Sequence, residues 1–178
     1  IRALGASSHN PKMAKKMVES GMLDMFMFSI NPAFDMMPAD ANVLEHLGEN
    51  FKDEKPLVTD PVRAELYALC ERERVGITVM KTLGAGKLLS SEHSPFDQPL
   101  TVPQCIHYAL TRPAVASVLL GCQTPEEVDD ALTYFDLDDE ARDYSTAIST
   151  LKNNFQGSCV YCNHCLPCPS GIDIAAVN

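Results

Sequence analysis

Val115-Ala-Ser-Val-Leu-Leu120-Gly-Cys-Gln-Thr124-Pro-Glu-Glu-Val128 contains one whole unit of the fold. Its first part, Val115 to Leu120, is an apolar run too short for most helices and reads as a buried strand. Gly121-Cys-Gln turns the chain. Thr124-Pro125 then opens a helix that runs to about Tyr134, with a capping hydroxyl and a proline at the first helical position. Working outward toward the N-terminus, the same grammar repeats. Thr101 caps a helix through Arg112. Ile77-Thr-Val-Met-Lys81 is a strand, followed by Thr82-Leu-Gly-Ala-Gly-Lys-Leu88 and a loop to Leu100. Asp60-Pro61 opens a helix in which Leu66, Leu69 and Cys70 recur at helical spacing until Gly76. Met25 to Ile30 and Ile1 to Ser7 read as two further strands, with Asn10-Pro11 starting a helix over Lys12 to Ser20 that Gly21 stops. Between Ala33 and Thr59 the pattern is mixed, with a short helix around Asn42 to Gly48; toward the C-terminus a last helix spans about Asp138 to Leu151. Strands apolar on both faces, alternating with helices, predict an α/β fold with four parallel strands in a helix-covered sheet. A doubly wound sheet and a (β/α)8 barrel both satisfy that pattern.

At 178 residues and 46% hydrophobic content the chain can bury one sizeable core, and no apolar run approaches a membrane span. A net charge of −10 argues against a nucleic-acid partner, which would need clustered Lys and Arg. The acidic excess lies mostly in Glu126 to Asp143 and reads as a solvated face. No signal peptide is evident, and the thiol usage suits a reducing interior, so the expected location is the cytoplasm. The first residues read as the inside of a strand with no preceding turn, which leads us to expect a piece of a longer protein.

The C-terminal region holds Cys159-Val-Tyr-Cys162-Asn-His-Cys165-Leu-Pro-Cys168-Pro169, thiols at a regular spacing of three. Thiolates suit iron–sulfur clusters and zinc, and ligands three apart can curl around one centre. A buried helical cysteine face is opposed by Pro167 and Pro169. A disulfide framework is opposed by the crowding of four of the seven cysteines into ten residues. Zinc ribbons separate their cysteine pairs by fifteen or so residues, a gap that does not exist here. The run is closer to the ferredoxin pattern that holds a [4Fe–4S] cluster, except that its last gap is two residues where that pattern has three. Cys168 therefore either closes the same cluster or serves a second one. Cys70, Cys105 and Cys122 read as small buried hydrophobes, and His164 as a redundant ligand beside four thiols.

Arg2-Ala-Leu-Gly-Ala-Ser-Ser-His9, Phe28-Ser-Ile-Asn-Pro32, Val79-Met-Lys-Thr-Leu-Gly-Ala-Gly86 and Gly121-Cys-Gln-Thr-Pro-Glu-Glu-Val128 together resemble an aldo-keto reductase, at the fifth to eighth strands of that family's barrel. The tail Cys159 to Ile174, with its Cys-Pro-Ser-Gly-Ile-Asp-Ile, resembles the branch that appends a ferredoxin-like iron–sulfur region. The resemblance implies the C-terminal half of a (β/α)8 TIM barrel over residues 1–151, followed by a cysteine-rich tail over 152–178. It implies NAD(P)H and a 4Fe-4S cluster as cofactors, with a small carbonyl substrate or a redox partner. The N-terminal half of the barrel, which would bring the family's catalytic Asp, Tyr, Lys and His, is expected to lie elsewhere, so no catalytic residue is assigned and this piece alone is expected to be inactive.

The resemblance also implies a cofactor site. Ser7 and Ser8 match the Ser-Asn pair that grips the nicotinamide amide, and Met27 stands where the family has a Gln. Met80 occupies the position of a ring that stacks on nicotinamide. Leu83, Gly84 and Gly86 match the loop that supports the pyrophosphate, where small residues let backbone amides come close. Gly121, Gln123 and Glu127 match the segment before the eighth helix, a helix N-terminus suited to phosphate. There the family often carries a basic residue, whereas this chain has Glu126 and Glu127, which oppose a 2′-phosphate and lead us to expect NADH to be tolerated better than NADPH. The metal ligands are expected to be Cys159, Cys162, Cys165 and Cys168. Lys81, at the end of a strand, could orient an anionic substrate or be held by a neighbouring carboxylate, and His9 lies near the same face as a loop histidine. Three functions are compatible with these residues: an aldo-keto reductase-like oxidoreductase carrying a cluster, an electron-transfer or scaffold module without reductase chemistry of its own, and a zinc-stabilised structural tail.

Overall fold

Five helices start alike, on a side chain that accepts a hydrogen bond from the first turn, with proline just inside. In the computed structural model, which describes residues 2–37, 39, 60–149, 168, 170 and 172, these are α1 (Pro11–Glu19), α2 (Pro32–Asp35), α3 (Pro61–Arg72), α4 (Val102–Leu110) and α5 (Pro125–Leu132). Asn10, Asn31, Asp60, Thr101 and Thr124 are their caps, and Thr101 with Gln104 completes a capping box. The helix α2 starts at Asn31-Pro32, which repeats the Asn10-Pro11 signal directly after the second strand. The short helix expected around Asn42 to Gly48 lies outside the described residues.

The strands β1 (Gly5–Ser8), β2 (Met25–Ser29), β3 (Gly76–Met80) and β4 (Val115–Val118) form one parallel sheet in sequence order. Ser7 pairs with Met27 and Met27 with Thr78; Ser8 pairs with Phe28 and Phe28 with Val79. Between β3 and β4 the register slips at Ile77/Thr78, so that Thr78 pairs with Ser117. β1, β2 and β4 are shorter than their expected runs, and β3 keeps its expected length but starts one residue earlier, at Gly76. Lys81 leaves β3 at φ +62, and Leu119 and Leu120 lie beyond β4.

The faces of the sheet differ. Phe26, Phe28, Ile77 and Val79 are fully buried on one side, under Ala14 and Val18 of α1, Leu66, Leu69 and Cys70 of α3, and Cys105, Tyr108 and Ala109 of α4. The other side carries Ser7, Met25 and Ser117 exposed and Met27, Thr78 and Met80 half-buried. The expectation that the strands are buried on both faces is therefore corrected: the apolar runs alternate after all, with Met, Ser, Thr and Gly on one face and large apolar side chains on the other.

The last predicted helix is also corrected. Two short helices replace it, α6 (Asp139–Arg142) and α7 (Ser145–Ser149). Asp143 is extended at φ −63, ψ 122, and its carboxylate anchors the start of α7, accepting from Ser145 N at 2.8 Å and Ser145 Oγ at 2.7 Å. The break lets Tyr144 turn into the core, fully buried against Tyr108.

Candidate functional site

At the carboxyl ends of β3 and β4 the chain makes two loops, and α5 closes the side between them. After β3, residues Gly84–Leu89 form a 3-10 turn, not the simple loop expected. Its path needs positive φ at Gly84 (+58), Ala85 (+56) and Gly86 (+82). A Cβ on Gly84 would meet Leu88 Cγ at 3.1 Å, whereas one on Gly86 meets nothing within 4 Å. The two glycines thus do different things: Gly84 allows the turn to close on Leu88, and Gly86 leaves the surface open to a ligand. Their own amides are engaged, Gly84 N donating to Lys81 O at 2.9 Å and Gly86 N to Leu83 O at 3.0 Å. The strained Lys81 is pinned by Asn31, whose Nδ2 donates to Lys81 O at 2.8 Å.

After β4, Thr124 accepts from Glu127 N at 3.3 Å, and Glu127 turns back so that Oε2 accepts from Gln123 N at 2.5 Å. These loops and α5 enclose a cavity of about 410 Å³. Lys81, Thr82, Leu83 and Gly86 line it from the β3 side; Gly121, Cys122 and Gln123 from the β4 side; Glu127, Asp130 and Ala131 from α5. The carboxyl end of a parallel sheet, beside a helix N-terminus, is where α/β folds place ligands.

Of the residues singled out in the sequence, Leu83, Gly86, Gly121, Gln123 and Glu127 come together in this cavity, with Gly84 buried just behind. Met80 ends β3, half-buried and outside the lining. Ser7 and Ser8 lie on β1, at the opposite edge of the sheet from β4 and outside the cavity lining. Ser7 is exposed beside Met27, and Ser8 Oγ is engaged locally, accepting from Asn10 N at 3.0 Å. Glu126 points outside the lining; its own backbone N–H and the Thr124 hydroxyl hold its carboxyl below the usual range. Lys81 is exposed and makes no ion pair among the described residues, so the expected neighbouring carboxylate is not found there. Near the sheet's carboxyl edge, His9 has a buried Nδ1 without a hydrogen-bond partner among the described residues; burial, then Lys81 and Arg63, push its pKa down and favour neutral imidazole.

Two features went unread in the sequence. Thr82 is 1% exposed, lines the cavity, and its Oγ1 has no hydrogen-bond partner among the described residues. Asp130 adds a second carboxylate to the wall, a role that the i, i+3 spacing from Glu127 could have revealed. Among the other thiols, burial pushes Cys70 to about 11 and Cys105 to about 12, as expected of small core residues. Cys122 corrects that expectation, being exposed on the cavity wall because β4 ends at Val118.

Cys159, Cys162 and Cys165 lie outside the described residues; Cys168 is half-buried. Among the described residues no group of His, Cys, Asp and Glu is disposed to hold a metal, and no helix is long and apolar enough to cross a membrane.

No protein-family model matches the chain, and none of the curated proteins does. Among solved structures it is similar to the aldo-keto reductase AKR11C1 from Bacillus halodurans in its holo form, at 19% identity and a TM-score of 0.52. The likeness covers 88% of this chain and 53% of that one, so the chain spans about half the length of the structure it matches. At that identity the likeness is one of fold: four parallel strands and their helices are arranged as in part of an aldo-keto reductase barrel.

Proposed function

We propose that this protein is part of an NAD(P)H-dependent oxidoreductase of aldo-keto reductase type, with the cavity between the β3 and β4 loops as a dinucleotide site. The observation that carries the reading is the convergence of Lys81, Gly86, Gly121 and Glu127 on one cavity at the sheet's carboxyl end, in a chain with a reductase fold. The residues fit such a group. Gly86 leaves room for a close approach, the Thr82 hydroxyl is buried without a partner, and Lys81 supplies a cation without a partner of its own among the described residues. Lys81 and Thr82 would hold a phosphate oxygen, while Leu83, Leu119 and Leu120 offer apolar contact. Bound there, a nicotinamide would supply hydride chemistry toward a small carbonyl substrate or a redox partner. The catalytic acid and base belong, on this reading, to the other half of the barrel.

The tail is read, on its cysteine spacing alone, as a ferredoxin-like region in which Cys159, Cys162, Cys165 and Cys168 hold a 4Fe-4S cluster, and the cytoplasm is inferred as the location for such thiols. Titration with NADH followed by fluorescence tests the dinucleotide; absence of any quench or shift rejects it. Anaerobic purification with iron, sulfide and zinc analysis tests the tail. Colourless protein without iron after reconstitution rejects the cluster, and one equivalent of zinc assigns the tail to a structural metal. An electron-transfer or scaffold role is the alternative, favoured by Met27, which sits beside Ser7 where a stronger hydrogen-bonding side chain would serve an amide better. That alternative requires a cluster without dinucleotide binding.

A further inference from the structure

The two ends of the sheet carry opposite charge, and each lacks a neighbour among the described residues. β1 and β4 are the outer strands, so each offers one row of backbone N–H and C=O groups that no described strand pairs. Neither Gly5–Ser8 nor Val115–Val118 carries a charge or a proline, the usual means of keeping another strand away. Beside the β4 edge stands α5, none of whose residues is buried, whereas α1, α3 and α4 each bury at least three. Val128 and Leu132 form an apolar stripe at i and i+4 that continues into Phe135; the three are 45%, 52% and 75% exposed. Tyr134 marks the side turned to α4, where its Oη meets His107 Nδ1 at 3.4 Å, and the stripe lies away from it. Beside the β1 edge stands α1, whose Lys15 turns to α3 and pairs with Glu65 at 2.6 Å, leaving Met13 and Lys16 exposed on the side away from α3. Lys12 and Lys16 lie one turn apart on α1. Glu126 and Asp129 lie one turn apart on α5, exposed and outside the cavity lining.

We infer that two copies of this chain pair through these edges, β4 of each beside β1 of the other, and close a ring of eight parallel strands. A twofold axis along the strands keeps all of them parallel and uses both edges of both copies, so none is left open. The pairing brings the Val128 and Leu132 stripe of one copy against Met13 of the other and sets Glu126 and Asp129 opposite Lys12 and Lys16. A second copy is singled out as the occupant because the basic end and the acidic end belong to one molecule. Each end fits the other and repels its own kind, so the match runs head to tail and is made twice. The catalytic half assigned above to the rest of the barrel needs the same two edges, so it and the second copy exclude each other. The inference does not rest on the dinucleotide reading.

Sedimentation equilibrium of the purified 178-residue chain, in reductant so that no thiol links the copies, is expected to give about twice 19.5 kDa. K12E/K16E makes both ends acidic and E126K/D129K makes both basic, so each variant alone should dimerise about tenfold more weakly at low salt. Mixed in equal amounts they should recover the dimer, because each seam of the mixed ring again joins opposite charges. Leu132→Gln leaves the charge unchanged and should weaken the dimer about tenfold through lost apolar burial. Should a charge variant lose its helical signal in circular dichroism, Leu132→Gln decides alone. A monomer at every concentration, or a ladder of open oligomers without a closed dimer, overturns the inference and leaves the dinucleotide site standing. A dimer that none of these substitutions weakens, or folded charge variants that stay apart when mixed, overturns the assignment to α1 and α5.

Discussion

Two polar regions among the described residues are built from carboxylates and cations. Behind the sheet, on the helix side, Asp35 is fully buried. Tyr67 Oη donates to its Oδ1 at 2.6 Å, Tyr108 Oη to its Oδ2 at 3.0 Å, and Arg63 Nη1 stands 3.4 Å from Oδ1 while also donating to Ser29 O at 3.1 Å. Arg112, stacked 4.4 Å from the Tyr108 ring, extends the network to Tyr144 Oη at 2.9 Å. At the carboxyl end of the sheet, Glu127, Asp130 and Lys81 face an open cavity and leave most of their hydrogen-bonding capacity unused by the described residues. Burial demands partners, so the first region ties α2, α3, α4 and the segment around Tyr144 into one body. Water tolerates the second region, which is therefore available for recognition. Charge alone does not mark a binding site, and charge that the fold has already paired in its core is removed from the candidates.

The sharpest way to break this contrast is Asp35→Ala, which strands Arg63 and two phenols in the core and should cost about 3–5 kcal/mol in urea denaturation. A cost below about 1 kcal/mol would put the buried network on the same footing as a surface pair. Next in size, Gly84→Ala combines left-handed backbone with a 3.1 Å approach to Leu88 and should lose about 1–2 kcal/mol. Gly86→Ala meets no neighbour, so thermal denaturation should show the smaller loss of the two while nucleotide binding weakens. Thr101→Ala removes one half of a capping box and should cost about 1 kcal/mol, a local effect that belongs to neither region.

A pH scan gives a smaller change. His9 is harder to protonate in the fold than in the unfolded chain, so its neutral form is favoured on folding. That contribution is complete above the unfolded value, about 6.5, and is lost as pH falls through the lower folded value. His9→Gln should remove this part of the acid-side loss; an unchanged slope below about pH 6.5 would show that burial, with Lys81 and Arg63 beside it, does not depress the imidazole. Least of all, Lys81→Gln should move stability by no more than about 0.5 kcal/mol while weakening nucleotide binding, because an exposed ammonium without an ion partner among the described residues supports no contact of the fold.

Much of the fold was legible. Strand–helix alternation, and the capping residues Asn10, Asp60, Thr101 and Thr124, act within a few residues of where they stand, so a local reading finds them. The last helix was misread because its interruption depends on Asp143, whose backbone oxygen accepts from Gln104 Nε2 at 2.7 Å, a contact 39 residues distant. At the site, the Gly84–Gly86 turn and the Gly121 to Glu127 segment were legible as loops placed after strands. Asp130 and Thr82 were not: the i, i+3 step from Glu127 puts Asp130 on one helical face without saying what that face meets, and nothing local separates a threonine in a turn from one whose hydroxyl is buried without a partner among the described residues. Ser8 was misleading for the opposite reason: its hydroxyl meets Asn10, two residues away, before any ligand can claim it.

By itself the sequence determined the parallel α/β order, the helix starts and the thiol spacing of the tail, because periodicity, capping and ligand spacing are properties of neighbours along the chain. Only the tertiary structure decided which carboxylates are paired and which remain open: Asp35 lies 28 residues from Arg63 and 73 from Tyr108, whereas Glu127 and Asp130 meet Lys81 across a cavity. The physical reason is that pairing and desolvation depend on distance through space, which chain separation does not encode.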